Sequence, residues 1–276
     1  MKTKKTVNQK LKRIFLSLLL PAAMTASVTC YAQGDSGIPP HQMRVASYNI
    51  QHGMGMDNQL NYKRIAEVLR AISPDVVAVQ EVDSMTQRTN NTYALGEIAE
   101  QLNYYASYAP TIDFEGGKYG IGILSRERPI SVRQYALPGT EEARTLLVAE
   151  FDDFVFASTH LSLTETDRMA SIGIIEEVAK KSGKPFVVAG DLNAQPDSPF
   201  IRQFEETFQI CSGKQKSWPA DKPTECLDYI AAYKRKSASK NGKGGAQQPA
   251  VTLFSDVLNT QASDHRPIVA EIVLPR

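Results

Sequence analysis

The sequence predicts an α/β protein in which two mixed β-sheets pack together with helices on the outside. Three observations lead there. Short apolar runs of the buried-strand kind alternate with segments of helical apolar spacing. Helices follow some strands, while other strands succeed one another as in hairpins. The 276 residues are 42% hydrophobic and 22% charged, which excludes a disordered tail protein, a collagen-like repeat and a disulfide-dense miniprotein.

The elements follow in order. Arg44–Ile50 reads as a first strand, and Tyr62–Ile72 as a helix with Ile65, Ala66, Val68, Leu69 and Ile72 on one face. Ser73-Pro74 stops that helix, because the residue before a proline is pushed out of helical backbone. Val76–Gln80 is a continuous apolar strand, and Tyr93–Leu102 a second helix. Tyr119–Ser125, Leu146–Phe151 and Val155–Thr159 are strands, the last ending at His160. Glu165–Lys181 has helical spacing through Met169, Ile172, Ile175 and Val178. Pro185–Ala189, Leu227–Ala232, Val251–Leu253 and Ile268–Val273 complete the strands. Lys234–Pro249 carries five Lys or Arg among Ser, Gly and Gln and reads as a solvated loop. There is no internal repeat, so residues 40–276 form a single domain.

The first 32 residues read as an export signal. Lys2, Lys4, Lys5, Lys10, Lys12 and Arg13 precede an apolar stretch, Ile14 to Val28, that Pro21 interrupts. The stretch is too short for a comfortable membrane span, and Ala32 ends it as a cleavage site would. An uncleaved anchor, or lipid attachment at Cys30 as in an outer-membrane lipoprotein, are the alternatives. Each places the folded part outside the cytoplasm, secreted or periplasmic, with no transmembrane segment in the mature form. Removing the six cations of this segment leaves 25 positive side chains against 30 negative, a net charge of −5. A strongly basic nucleic-acid binder is not the default for such a chain. Cys211 and Cys226 then remain, and an oxidising compartment permits them to pair, although spacing alone does not decide whether they do.

Polar residues recur where strands end. Asn49 closes the first strand, Glu81 follows Val76–Gln80, and His160 follows Phe156-Ala157-Ser158-Thr159. Asp191 and Asn193 follow Phe186–Gly190, Asp228 opens the strand before Tyr229-Ile230, and Asp264-His265 precedes the last strand. One carboxylate after a strand is usually a turn or cap residue. Six such placements together point to a ligand-binding mouth. Neither zinc-ligand spacing, nor a phosphate-binding glycine loop, nor a Gly-x-Ser-x-Gly elbow occurs, which removes a zinc module, a nucleoside-triphosphatase and a serine hydrolase.

Ser47-Tyr48-Asn49-Ile50, Gln80-Glu81-Val82, Thr159-His160, Gly190-Asp191-Leu192-Asn193, Leu227-Asp228-Tyr229-Ile230 and Ser263-Asp264-His265-Arg266-Pro267 occur in that order. This series resembles the endonuclease/exonuclease/phosphatase superfamily, which includes pancreatic-type deoxyribonucleases, abasic-site endonucleases, inositol polyphosphate phosphatases and bacterial sphingomyelinases. The resemblance covers nearly all of residues 43–276. It implies a four-layer α-β-β-α sandwich, a divalent metal (magnesium, with manganese as an alternative) and hydrolysis of a phosphoester.

Residue by residue, Asn49, Glu81 and Asp264 match the metal-site positions, and hard carboxylate oxygens suit magnesium. Asp228 and His265 match a pair in which the carboxylate orients the imidazole and leaves its other nitrogen as acceptor. Asp191 and Asn193 match residues that position the attacking water, and His160 a position that contacts a phosphate oxygen or the leaving group. Arg144 sits where some relatives carry a phosphate-contacting arginine. His52 follows the first strand at the mouth and is a candidate substrate contact. Arg168 reads as a surface ion-pair residue and Trp218 as a core residue.

The mature charge favours a small or lipid-linked phosphoester, such as an inositol-phosphate or sphingolipid headgroup. An extracellular metal-dependent endonuclease is the alternative, and a catalytically inactive phosphate-binding protein of the same fold is a second. A monomer is expected.

Overall fold

The chain runs β1 (His41–Asn49), α1 (Tyr62–Ile72), β2 (Val76–Ser84), α2 (Ala94–Leu102), β3 (Tyr105–Phe114), β4 (Gly117–Ser125), β5 (Ser131–Leu137), β6 (Arg144–Glu150) and β7 (Val155–His160). It continues through α3 (Glu165–Ser182), β8 (Phe186–Asp191), α4 (Pro199–Thr207), β9 (Phe208–Ile210), β10 (Asp228–Tyr233), β11 (Val251–Val257) and β12 (Ile268–Leu274). The computed structural model describes residues 41–235 and 249–275, which lie within one compact unit, Pro39–Arg276. The segment expected to be an export signal, with Cys30, and residues 236–248 of the basic loop lie outside the described residues.

Among the described residues, twelve strands make two six-stranded sheets, ordered β11-β12-β1-β2-β4-β3 and β5-β6-β7-β8-β10-β9. Both are mixed. β1 pairs parallel to β2 and β7 parallel to β8, with α1 and α3 as the respective crossovers, and the other pairings are antiparallel.

The layering follows from strand alternation. Val45, Val76 and Ala78 of the first sheet meet Leu147, Phe156, Val187 and Ile230 of the second in a shared inner core. The alternate residues Ala46, Val77 and Val79 face Ile65, Leu69 and Ile98 of α1 and α2. Leu146, Ala157 and Val188 face Ile172, Ile175, Phe200 and Phe204 of α3 and α4. The result is the expected four-layer α-β-β-α sandwich.

Local chemistry sets the helix ends. Asn61 caps α1, its side chain accepting from the Arg64 N–H at 2.9 Å. α3 opens with Glu165 and Asp167, closes with Lys180 and Lys181, and stops at Gly183 in the left-handed region. Three strands and one helix were not expected: β3, β5, β9 and α4. β3 and β5 are sheet edges whose side chains are mostly exposed or half-buried, so they carry no apolar run. α4 was announced by its Ser198 cap, Pro199 at the first turn and Phe200, Ile201 and Phe204 on one face.

Cys211 and Cys226 are both buried free thiols. They belong to different cores, Cys211 between the sheets and Cys226 under the helices, so the second sheet separates them. No helix among the described residues is long and apolar enough to cross a membrane.

Candidate active site

Strand register assembles the site. In the first sheet Asn49 lies level with Gln80, which places Glu81 one residue beyond the shared edge. In the second, His160 pairs with Asp191, and Asp191 with Asp228. β7 and β8 run close here because Gly190 has no side chain: a Cβ there would stand 2.0 Å from the Thr159 carbonyl oxygen. Asp264 and His265 enter from the turn before β12, where the Ser263 hydroxyl donates to the Asn49 carbonyl at 2.9 Å.

Glu81 owes its aim to a bulge. β2 pairs with β4 at Val79–Gly122 and next at Val82–Gly120, so β2 carries one extra residue. Glu81 takes φ 56°, a left-handed conformation inside a strand. Such backbone costs about 1–3 kcal/mol and is retained where a side chain must be re-aimed. Its Oε1 accepts from Asn49 Nδ2 at 2.9 Å, and the same nitrogen donates to Asp191 Oδ2 at 3.2 Å. The Asn49 amide thus spans the two sheets, while its oxygen accepts from the Gln51 N–H at 3.1 Å.

Asp191 is the hub. Its Oδ1 accepts from the Asn193 N–H at 3.0 Å, and the Asn193 side chain donates to the Leu161 carbonyl at 2.8 Å. Its Oδ2 stands 3.7 Å from His160 Nε2 and 3.7 Å from His265 Nε2. Both gaps exceed a direct hydrogen bond. On its other side, His265 Nδ1 meets Asp228 Oδ2 at 2.9 Å.

The charges explain the protonation pattern. Burial pushes Glu81 up to about 7; Asp264 and Asp191 add to this, while the Asn49 hydrogen bond and His265 oppose it. Burial pulls His160 down to about 4, helped by Arg144 and His265 and resisted by Asp191. For His265 burial also opposes the charged form, yet Asp228, Asp191 and Asp264 outweigh it and hold the imidazole well above its usual range. The surrounding carboxylates thus favour the charged form of His265, whose Nε2 faces Asp191.

Arg144, His160, Tyr119 and Thr111 line one hollow at the mouth. Arg144 is 8% exposed, with Nη2 3.1 Å from Glu141 and Nη1 3.5 Å from Glu142, and its buried Nε has no partner among the described residues. Glu141 also accepts from the Ser162 hydroxyl and the Leu163 N–H, each at 2.7 Å. Arg168 is not a surface ion-pair residue: it is buried and donates to the Ser162 and Leu163 carbonyls at 2.9 and 2.7 Å, bracing the same loop.

His52 stands at the mouth in left-handed backbone, φ 48°. Burial and the Arg88 charge lower its pKa, against Asp83, Asp264 and Glu115. Trp218 leaves the core and tilts over His265, ring centroids 6.4 Å apart. Tyr119, Glu141 and Ser217 escaped the sequence reading; none follows a buried strand, so no end-of-strand signal marks them. Ser217 donates to Asp228 Oδ2 at 2.5 Å. A larger hollow near Lys180, Lys184 and Tyr233 brings none of the expected site residues together.

The model of the endonuclease/exonuclease/phosphatase family matches residues 46–265. No curated protein matches the chain in sequence. Among solved structures, an endonuclease/exonuclease/phosphatase from Bacteroides vulgatus superposes with TM-score 0.68 at 17% identity, covering 85% of this chain and 100% of that one. A mannosyl-6-phosphatase from Bacteroides thetaiotaomicron gives 0.63 at 16%, covering 84% and 99%. The human Nocturnin catalytic domain, with sulfate bound, gives 0.61 at 15%, covering 85% and 95%. At these identities the likeness concerns the fold.

Proposed function

The chain belongs to the endonuclease/exonuclease/phosphatase family, whose members are generally phosphoester hydrolases, and on that premise we propose that it is a divalent-metal-dependent phosphodiesterase acting on a small or lipid-linked phosphoester outside the cytoplasm. The observation that carries this reading is the convergence of Glu81, Asp264 and Asp191 upon one another and upon the Asp228–His265 pair.

The donor set fits a hard cation. Glu81 is aimed inward by a strained bulge and crowded by two further carboxylates, an excess of negative charge that a divalent ion relieves. Glu81 and Asp264 would hold the ion, and Asn49 would orient Glu81. Magnesium suits these oxygens, and manganese can replace it. Bound there, the ion supplies Lewis-acid polarisation of a phosphoryl oxygen. Asp191, Asp228 and His265 also offer ligand atoms within 4.8 Å of one another. Asp228 Oδ2 is already shared by His265 and Ser217, so we assign that trio to proton handling.

The residues then divide the work. Asp191, held by Asn49 and the Asn193 N–H, takes a proton from the attacking water as the water oxygen bonds to phosphorus and the ester P–O bond breaks, the departing oxygen taking its proton from solvent water. His265, kept charged by Asp228, donates from Nε2 to the phosphoryl group. His160, neutral at working pH, contacts the same group opposite Arg144. His52 borders the leaving group.

Charge at the mouth supports a small or headgroup-sized substrate. Arg144 is matched by Glu141 and Glu142, Arg88 by Asp83 and Arg64 by Asp57. A duplex backbone draws on several cations aimed at successive phosphates, whereas these are paired within the protein. Export rests on the basic and apolar stretch of residues 1–32.

The test is a magnesium-dependent panel of plasmid DNA, RNA, sphingomyelin, phosphoinositides and bis(4-nitrophenyl) phosphate. Turnover of lipid or small phosphodiesters is expected. Rapid DNA cleavage at physiological salt with no other turnover overturns the substrate class.

A further inference from the structure

Ser217 lies in the connection between β9 and β10, outside every motif described above, and its side chain is fully buried. Its hydroxyl donates to Asp228 Oδ2, the same oxygen that meets His265 Nδ1. The other oxygen, Asp228 Oδ1, is buried with no partner among the described residues. Both interactions of this carboxylate therefore converge on one atom.

That asymmetry has a mechanical meaning. The Asp side chain turns on a broad, two-fold torsion, and one hydrogen bond from a histidine leaves the carboxylate plane loosely set. Two donors arriving at one oxygen from different directions fix it. The Ser217 hydroxyl also loads the oxygen with a second donor, which keeps Asp228 an acceptor and the shared proton on His265 Nδ1.

The backbone around Ser217 grips the other partner. Arg266 N–H donates to the Ser217 carbonyl at 2.8 Å, and Ala220 N–H to the Asp264 carbonyl at 2.7 Å. Arg266 Nε donates to the Ala220 carbonyl at 2.6 Å. Ser217 itself is anchored by its N–H to the Glu225 carbonyl at 2.8 Å. One short segment, Ser217 to Ala220, thus holds Asp228 by a side chain and both neighbours of His265 by main chain.

We infer that Ser217 is a positioning residue, its hydroxyl extending the Asp228–His265 pair into a three-membered relay that sets where His265 Nε2 points. This deepens the proposed hydrolysis and rests on it for its catalytic meaning. Ser217→Ala isolates the hydroxyl, because alanine keeps the N–H and C=O that bind Glu225 and Arg266.

The experiment combines kinetics with a signal that needs no turnover. Using bis(4-nitrophenyl) phosphate and saturating magnesium, Ser217→Ala lowers kcat about tenfold, roughly 1.4 kcal/mol, with KM nearly unchanged. Ser217→Thr restores most of the loss; if its extra methyl prevents folding, Ser217→Cys, a weaker donor, gives an intermediate kcat. In the metal-free protein at one fixed pH, the low-field proton resonance of His265 Nδ1–H, assigned by its disappearance in His265→Asn, shifts or broadens in Ser217→Ala. A Ser217→Ala variant that melts earlier yet keeps the parent's kcat and resonance overturns the inference and leaves Ser217 a packing residue. A parent protein that hydrolyses no phosphoester contradicts the proposed function instead, and the resonance still decides whether Ser217 positions the pair.

Discussion

The Asn49 amide nitrogen donates to Asp191 Oδ2 at 3.2 Å across the sandwich, joining sheets whose contributing residues are 142 positions apart in the chain. The same nitrogen holds Glu81 at 2.9 Å, so one side chain sets the spacing between the proposed metal carboxylate and the proposed base. This relation makes Asn49 a spacer between the two carboxylates.

Asn49→Asp therefore places a third carboxylate between two others. The expected outcome is a lower melting temperature in chelator, with the loss larger at pH 8 than at pH 5, and partial recovery on adding magnesium. Thermal melts in the four conditions check it. Equal losses with and without magnesium contradict the arrangement.

Much of this site was legible because buried strands announce their own ends. Runs such as Val76–Gln80 and Phe186–Gly190 stop at a polar residue, and parallel pairing brings Asn49 level with Gln80 and His160 level with Asp191. The aim of Glu81 was not legible, since a bulge is a mismatch with β4 and leaves no mark within β2. Arg168 looked solvated because its partners are carbonyls, which a charge pattern does not reveal. Cys211 and Cys226 stay apart because a sheet lies between their two cores, a fact of topology and not of spacing. The protonation of His265 depends on three carboxylates that come from separate segments.

Glu81 carries a pH signature. Its pKa is raised from the usual 4.5 to about 7, so the folded metal-free chain holds that proton more tightly than the unfolded chain. Stability is then present at low pH and declines as pH rises from about 4.5 to about 7. Glu81→Gln removes the decline: in chelator it melts higher than the parent at pH 8 and close to the parent at pH 4. Magnesium affinity of the parent rises over the same window, with proton release on binding below pH 7. Calorimetry in two buffers of different ionisation enthalpy measures that release, and no proton release at pH 6 argues against Glu81 as a ligand.

Asp228→Asn keeps the shape of the pair but removes the charge that holds His265 protonated. Turnover falls by roughly 10²- to 10⁴-fold, as when a carboxylate partner of a catalytic imidazole is neutralised, while magnesium affinity changes little. Glu81→Ala does the reverse, weakening metal binding first. Metal titrations showing the opposite assignment exchange the two roles.

Arg88 clasps Asp83 through Nε at 2.7 Å and Nη2 at 2.8 Å, and the Asp83 side chain is fully buried. Removing one member of such a pair strands a charge, so Arg88→Met destabilises by about 3 kcal/mol. Adding Asp83→Asn to Arg88→Met recovers much of it. Urea unfolding of the single and double variants gives the coupling directly, and additive losses contradict it.

In the proposed reaction Glu81 and Asp264 hold a divalent ion on which phosphoester hydrolysis depends. Protein treated exhaustively with chelator, then titrated with magnesium while bis(4-nitrophenyl) phosphate turnover is followed, tests this most directly. The expected result is no turnover in chelator, saturable recovery with magnesium or manganese, and a markedly higher metal requirement in Glu81→Ala. Undiminished turnover after chelation, or a Glu81→Ala titration that overlays the parent's, would contradict it.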